Sequence, residues 1–203
     1  MAQILLSTEN DSWSYSWSKK GFSSSRLYQT IQPKEVCPKV IRNIWSCSVI
    51  LKYKIFLWLM IFDRVHTRNL LHRKSFHMAS YNCVLCTLST EETSLHLFWD
   101  CPFSLQWWDH IAPQRLRGIS CLDHIQLIHR WLPKEIAAEI IIMGCWHISM
   151  QRNNWISRGT FPSITAWKKA LRSDLLLLDH RIKHKFKNKL SDWIDHNLNS
   201  DLQ

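Results

Sequence analysis

Trp13, Tyr15 and Trp17 alternate with Ser12, Ser14 and Ser16, a period of two that predicts a half-buried strand. Ser18-Lys19-Lys20-Gly21 offers a turn and Phe22 to Ser24 a short return strand, so a small N-terminal β-hairpin is expected over residues 1–25. Beyond it the apolar spacing lengthens to three and four, the helical period. Ser23 or Ser24 can cap a helix carrying Leu27, Tyr28 and Ile31 that ends near Pro33. Pro38 suits the first turn of a second helix with Val40, Ile41, Ile44 and Trp45 inward. Lys54 to Phe62 is apolar nearly all round and reads as a buried helix. Thr67 is placed to cap a short helix with Leu70 and Leu71 toward the core. Pro102 opens a helix with Phe103, Trp107 and Ile111 on one face. Pro133 opens a long apolar helix to about Ile156, with Gly159 and Pro162 marking its end. Trp167, Leu171, Leu175, Leu178, Ile182, Phe186, Leu190 and Trp193 then predict one long C-terminal helix whose other faces are basic. Residues 112–124 show little pattern and read as connector.

Composition strengthens the helical reading. Only 4 Gly and 6 Pro are present, too few turn formers for an all-β protein. Apolar residues make up 46% and there are 12 Trp, enough for a real core in 203 residues. The fold class expected is mainly α. The densest apolar runs, Ile55 to Phe62 and Ile136 to Ile148, fall well short of the ~20 residues that cross a bilayer, so no membrane segment is expected. A net charge of +10 predicts attraction to polyanions, with nucleic acid first and an anionic membrane surface second, against a merely solvated basic surface. The start carries no basic n-region of a secretory signal. Seven cysteines, an odd number, then point to a reducing, intracellular compartment where thiols stay free or bind metal.

Four residues concentrate the candidate chemistry: Cys83-x2-Cys86-x9-His96-x4-Cys101. A C-x-x-C turn sets two sulfurs at the separation that a tetrahedral ion with bonds of ~2.3 Å requires. His96 and Cys101 are five apart, about 140° around an α-helix, so one regular helix cannot aim both at one ion. The expectation is a short helix begun over Ser89 to Thr93 that ends near Trp99, with Cys101 swinging in before Pro102. Three thiolates and an imidazole fill every position around zinc, which describes a closed structural site. The competing readings are a redox C-x-x-C and buried free thiols beside an unrelated histidine. His72, His77 and His110 read as surface or capping residues and not as further ligands.

The segment CVLC…EETSLHLFWDCPF resembles the C-x-x-C…E-x-x-x-HLF-x-x-C run of the zinc-binding domain found after the reverse transcriptase of plant LINE-type (non-LTR) retrotransposons. DSWSYSWSKKGFSSSRLY is similar to that family's Trp-rich hairpin and Tyr-bearing helix. Trp45, KYKIFLWL, Thr67 and Leu70 to Arg73 are similar to its packed helices, and Trp146-x-Ile148…Arg152-Asn153 to its W-x-I-W-x-x-R-N signature. Leu51 stands where the family usually has proline, and Ser149 where it has a second tryptophan. The resemblance divides the chain into a hairpin (1–25), the zinc-binding domain (26–111), a connector (112–132) and a C-terminal helical region with the basic helix (133–203). It implies zinc as cofactor, a retroelement origin without the polymerase, and a nuclear location.

No Asp-Asp pair or Tyr/Phe-x-Asp-Asp is present to hold polymerase metals, and the four glycines are too scattered for a phosphate loop. The chain is therefore expected not to be an enzyme and to take no small-molecule substrate. It is expected to be an accessory module that binds RNA or DNA. The alternative is a protein–protein interaction module or a purely structural remnant. Candidate nucleic-acid contacts are Arg64, Arg68, Arg73 and Lys74 before the cysteine cluster, and Arg181, Lys183, Lys185 and Lys187 near the C-terminus.

Overall fold

The structure, a computed structural model, describes residues 22–31, 38–113 and 118–198. The Trp13 to Trp17 strand lies outside the described residues. The chain divides into two units, residues 1–37 and residues 38–203. In the first, helix α1 (Ser24–Ile31) starts as its serines predict, with the Ser23 hydroxyl accepting from Arg26 N at 3.4 Å.

Among the described residues the second unit is mainly helical. Its elements are α2 (Lys39–Ser46), α3 (Leu51–Ile61), α4 (Arg68–Arg73), α5 (Pro102–Ile111), α6 (Cys121–Trp131), α7 (Ala137–Arg158), α8 (Ile164–Leu178) and α9 (Lys187–Leu198). Their limits follow local chemistry. The Thr67 side chain accepts from Leu70 N at 3.2 Å to start α4, Pro102 occupies the first turn of α5, and Gly159 ends α7 at φ 64°, the left-handed conformation glycine adopts without strain. Among the described residues no helix is long and apolar enough to cross a membrane.

Helix α7 is the axis of the unit, with α2, α3, α6 and α8 packed around it. Tryptophan fills the space between helices. Trp99, Trp107, Trp108 and Trp167 are inaccessible to solvent, and Gly144 of α7 makes room for them. A Cβ at Gly144 would lie 3.2 Å from the Trp108 ring, while its carbonyl accepts from Trp167 Nε1 at 3.2 Å. Trp108 Nε1 in turn donates to Phe98 O at 2.7 Å, which fixes the nitrogen edge of the indole.

Four expectations need correction. The single long basic C-terminal helix is two helices, α8 and α9, joined by a turn and a short 3₁₀ segment (His184–Phe186). One helix from 164 to 198 would run about 50 Å at 1.5 Å per residue. Folding back instead buries Leu190, Trp193, Ile194 and Leu198, and Ile182 in the turn stays buried, so the three-and-four spacing runs through the break. Within 112–132, read as connector, α6 is a helix capped by Ser120, whose hydroxyl accepts from Asp123 N, and it buries Ile125 and Ile128. Helix α3, apolar nearly all round, buries only the face of Tyr53, Phe56, Leu57 and Met60 and leaves Leu51 and Ile55 exposed. Trp45, expected inward, is also exposed.

Candidate metal centre

Between α4 and α5 the chain has little regular structure, and each bend has a local cause. Asn82 and Glu91 form an isolated antiparallel bridge, flanked by Cys83 N to Thr90 O at 2.8 Å and Glu92 N to Tyr81 O at 2.9 Å. These bonds close a loop with Cys83 and Cys86 on its turn, and Ser89 makes the return at φ 51°. Thr93 then caps the next turn, its hydroxyl accepting from His96 N at 3.0 Å.

From His96 to Asp100 the backbone makes one π-helical turn, closed by Cys101 N donating to His96 O at 2.7 Å. In a π turn the hydrogen bond runs between residues five apart, so His96 and Cys101 come to lie above one another. An α-helix would set them about 140° apart. The sequence reading ended the helix near Trp99 and turned Cys101 inward afterwards; the structure widens the turn. Cys101 itself is extended (φ −65°, ψ 133°), as a residue before proline prefers.

Cys83, Cys86, His96 and Cys101 bring four donor atoms within 4.8 Å of one another. Cys83 Sγ and Cys101 Sγ are 3.8 Å apart, and Cys86 Sγ and His96 Nε2 are 3.4 Å apart. Tetrahedral zinc with bonds of about 2.3 Å to sulfur and 2.0–2.1 Å to nitrogen spaces its ligands by about 3.8 Å and about 3.5 Å. The sulfur separation is far beyond the ~2.05 Å of a disulfide, and all four residues fit the ion. Cys83, His96 and Cys101 are buried and Cys86 is half-buried. Without a cation the Cys83 and Cys86 sulfurs resist ionisation. The neighbouring Cys101 sulfur and burial both push the Cys83 thiol well up, and burial raises Cys86. A divalent ion held by Cys83, Cys86, His96 and Cys101 would remove that cost by binding thiolates, and the four donors would leave no open position for water.

One buried charge pair ties this segment to α7. The Glu92 carboxylate, fully buried, accepts from Arg152 Nη2 at 2.7 Å, Arg152 Nε at 3.2 Å and Arg68 N at 3.0 Å. In the sequence analysis Glu92 stands in the quoted motif with no partner. Both partners lie in the quoted motifs, but 60 residues separate them and no local pattern links them.

The eight candidate nucleic-acid contacts divide evenly. Arg68 donates to Ser80 O and Asn82 O and so braces the metal loop; Arg73 pairs with Asp63; Arg181 donates to Ser48 O; Lys187 pairs with Asp179. Arg64, Lys74, Lys183 and Lys185 are exposed and have no ion-pair partner among the described residues, although Lys185 lies over the Phe186 ring. The structure thus draws the four metal candidates together and ties half of the basic ones to partners within the fold.

Residues 22–108 match the family described as zinc-binding in reverse transcriptase. This agrees with the resemblance read from the cysteine–histidine order, and over these residues the chain is similar to zinc-binding domains of that type. Over 117 residues the chain is 31% identical to an Arabidopsis thaliana protein provisionally named a ribonuclease H protein. The matched part is 55% of this chain and 18% of that relative's length. No solved structure matches.

Proposed function

We propose that this is an accessory, non-catalytic module of retroelement origin that binds RNA or DNA through basic surface, with its zinc held by Cys83, Cys86, His96 and Cys101. The observation that carries the reading is the set of exposed cations, Arg64, Lys74, Lys183 and Lys185, without carboxylate partners among the described residues, on a chain of net charge +10. A structural role for the zinc is supported by its complete donor set. Among the described residues the Cys–His cluster is the one group of three or more side chains able to hold a metal, whereas two-metal nuclease or polymerase chemistry needs clustered carboxylates. The ribonuclease H in the relative's name belongs to a protein of which this chain spans 18%, so the module is read as a companion to such chemistry.

The test is binding of labelled RNA and DNA by the zinc-loaded chain as salt is varied. The expected result is binding near 50 mM salt that falls with a steep log–log slope at higher salt. No binding at low salt would overturn the reading. A protein-partner role would then stand in its place, favoured by the exposed apolar Leu176, Leu177 and Phe161.

A further inference from the structure

On one side of α7, the loop before α4 and the metal-bearing π turn enclose a groove of about 270 Å³. Phe56, Leu97 and Trp146 supply an apolar floor, while Arg64, His66 and Asn153 stand among its polar lining. No carboxylate lines it. Acids on the neighbouring segments are already neutralised: Glu92 lies buried under Arg152, which also lines the groove, and Asp63 takes the Arg73 guanidinium and the Ser94 hydroxyl. Arg64 and His66 are exposed, and their side chains have no hydrogen-bond or ion-pair partner among the described residues. Asn153 accepts from Arg152 Nη1 at 3.0 Å through Oδ1, which leaves its amide nitrogen to donate elsewhere. The loop carrying Arg64 is held in place, because Arg64 N donates to Leu59 O at 2.7 Å and Thr67 N to Val65 O at 2.7 Å.

A cationic rim over an aromatic floor, with one free amide donor, fits an anion that carries a flat apolar ring. We propose that this groove holds one nucleotide of a single-stranded nucleic acid, with a phosphate at Arg64 and His66, the base over the floor, and Asn153 toward the base edge. The inference rests on the nucleic-acid reading above and adds where the strand binds and which form is preferred. A duplex keeps its bases stacked inside and offers the groove only phosphates, whereas an unpaired base can enter. Because Leu97 follows the ligand His96, the groove depends on the metal-bearing turn.

The experiment is fluorescence anisotropy of the zinc-loaded full chain with a labelled single strand of about a dozen nucleotides and with the corresponding duplex, in both RNA and DNA forms. Tighter binding of the single strand is expected. Arg64→Ala should weaken it about tenfold and lower the salt slope by about one, and Asn153→Ala should weaken it less. Lys39→Ala removes an exposed cation outside the groove and should leave the single-strand preference intact. Arg64 is exposed, so unchanged zinc content and melting will confirm that its variant is folded. Wild-type binding that neither groove variant alters, or equal affinity for the duplex, overturns the groove while the nucleic-acid reading stands. Failure of the wild type to bind any of the strands overturns that reading and the groove with it.

Discussion

The metal loop and the tryptophan core lie side by side, yet they are ordered by opposite means. From Lys74 to Thr93 the chain has one isolated bridge and a few loop hydrogen bonds, and residues 72–80 are all exposed. What it and the π turn bury includes polar groups: Cys83, Glu92, Ser94 and His96. In α5, α7 and α8 the backbone is regular and the buried groups are mostly indoles and aliphatic chains, with Trp107, Trp108 and Trp167 inaccessible. A few strong directed bonds hold the first region, and many weak contacts hold the second. The loop should therefore fail at once when one bond goes, and the core by degrees.

Removing the metal is the largest perturbation. Structural zinc contributes about 10–16 kcal/mol of apparent binding energy in small domains, as much as the entire stability of many proteins. Elemental analysis is expected to give one zinc ion per chain, and chelation or Cys86→Ser to abolish it. Hydrogen exchange should then show protection lost at Cys83, Glu92 and Cys101 while the middle of α7 keeps most of its own. Equal loss in both regions would show that the core borrows its order from the ion and would erase the distinction.

The Glu92–Arg152 pair joins the two regions and ranks second. Arg152→Ala strands a fully buried carboxylate, and breaking such pairs costs about 3–5 kcal/mol. Replacing both partners, Glu92→Gln with Arg152→Met, should cost clearly less than the sum of the two single changes in urea denaturation. Additive losses would mean that the two side chains act independently. Within the core, Gly144→Ala comes next. Alanine favours a helix over glycine by about 1 kcal/mol, but here its Cβ meets the Trp108 ring, which the bond to Phe98 O prevents from moving. Overpacking of this kind costs about 1–3 kcal/mol, so a lower melting temperature with unchanged zinc content is expected.

The same contrast explains what could be read from the sequence. Caps and breakers act within a few residues, so Ser23, Thr67, Pro102 and Gly159 marked their helix ends correctly. The cysteine–histidine spacing was legible because coordination geometry restricts which residues can converge. Helix α6 was missed although Ser120 and Asp123, with Ile125 and Ile128 beyond, carry a start signal; Gly118 and the patternless run before it concealed the change. The α8–α9 reversal and the Glu92–Arg152 pair depend on what lies across the core. Apolar spacing is the same in one long helix as in two that fold back.

Acid gives the smallest and most selective test. In the metal loop, low pH protonates the thiolates and releases zinc. In the core one sensitive group is His147 of α7, buried against Asp174 Oδ2 at 3.1 Å, an oxygen that also accepts from Tyr53 OH at 2.7 Å. Burial holds the His147 imidazole below its usual value of 6.5, and the nearby Lys52 adds to this, although Asp174 opposes the shift. As pH falls past 6.5, the unfolded chain therefore takes up the proton before the folded one. Stability from the neutral ring is complete above that pH and declines below it until the folded ring also titrates. One such group changes stability by at most about 1.4 kcal/mol per pH unit. In chains already lacking zinc through Cys86→Ser, stability should still fall between pH 7.5 and 5.5, and adding His147→Gln should flatten that fall. If the slope is the same with and without His147, the acid-sensitive group lies elsewhere, and the core differs from the loop more sharply than proposed.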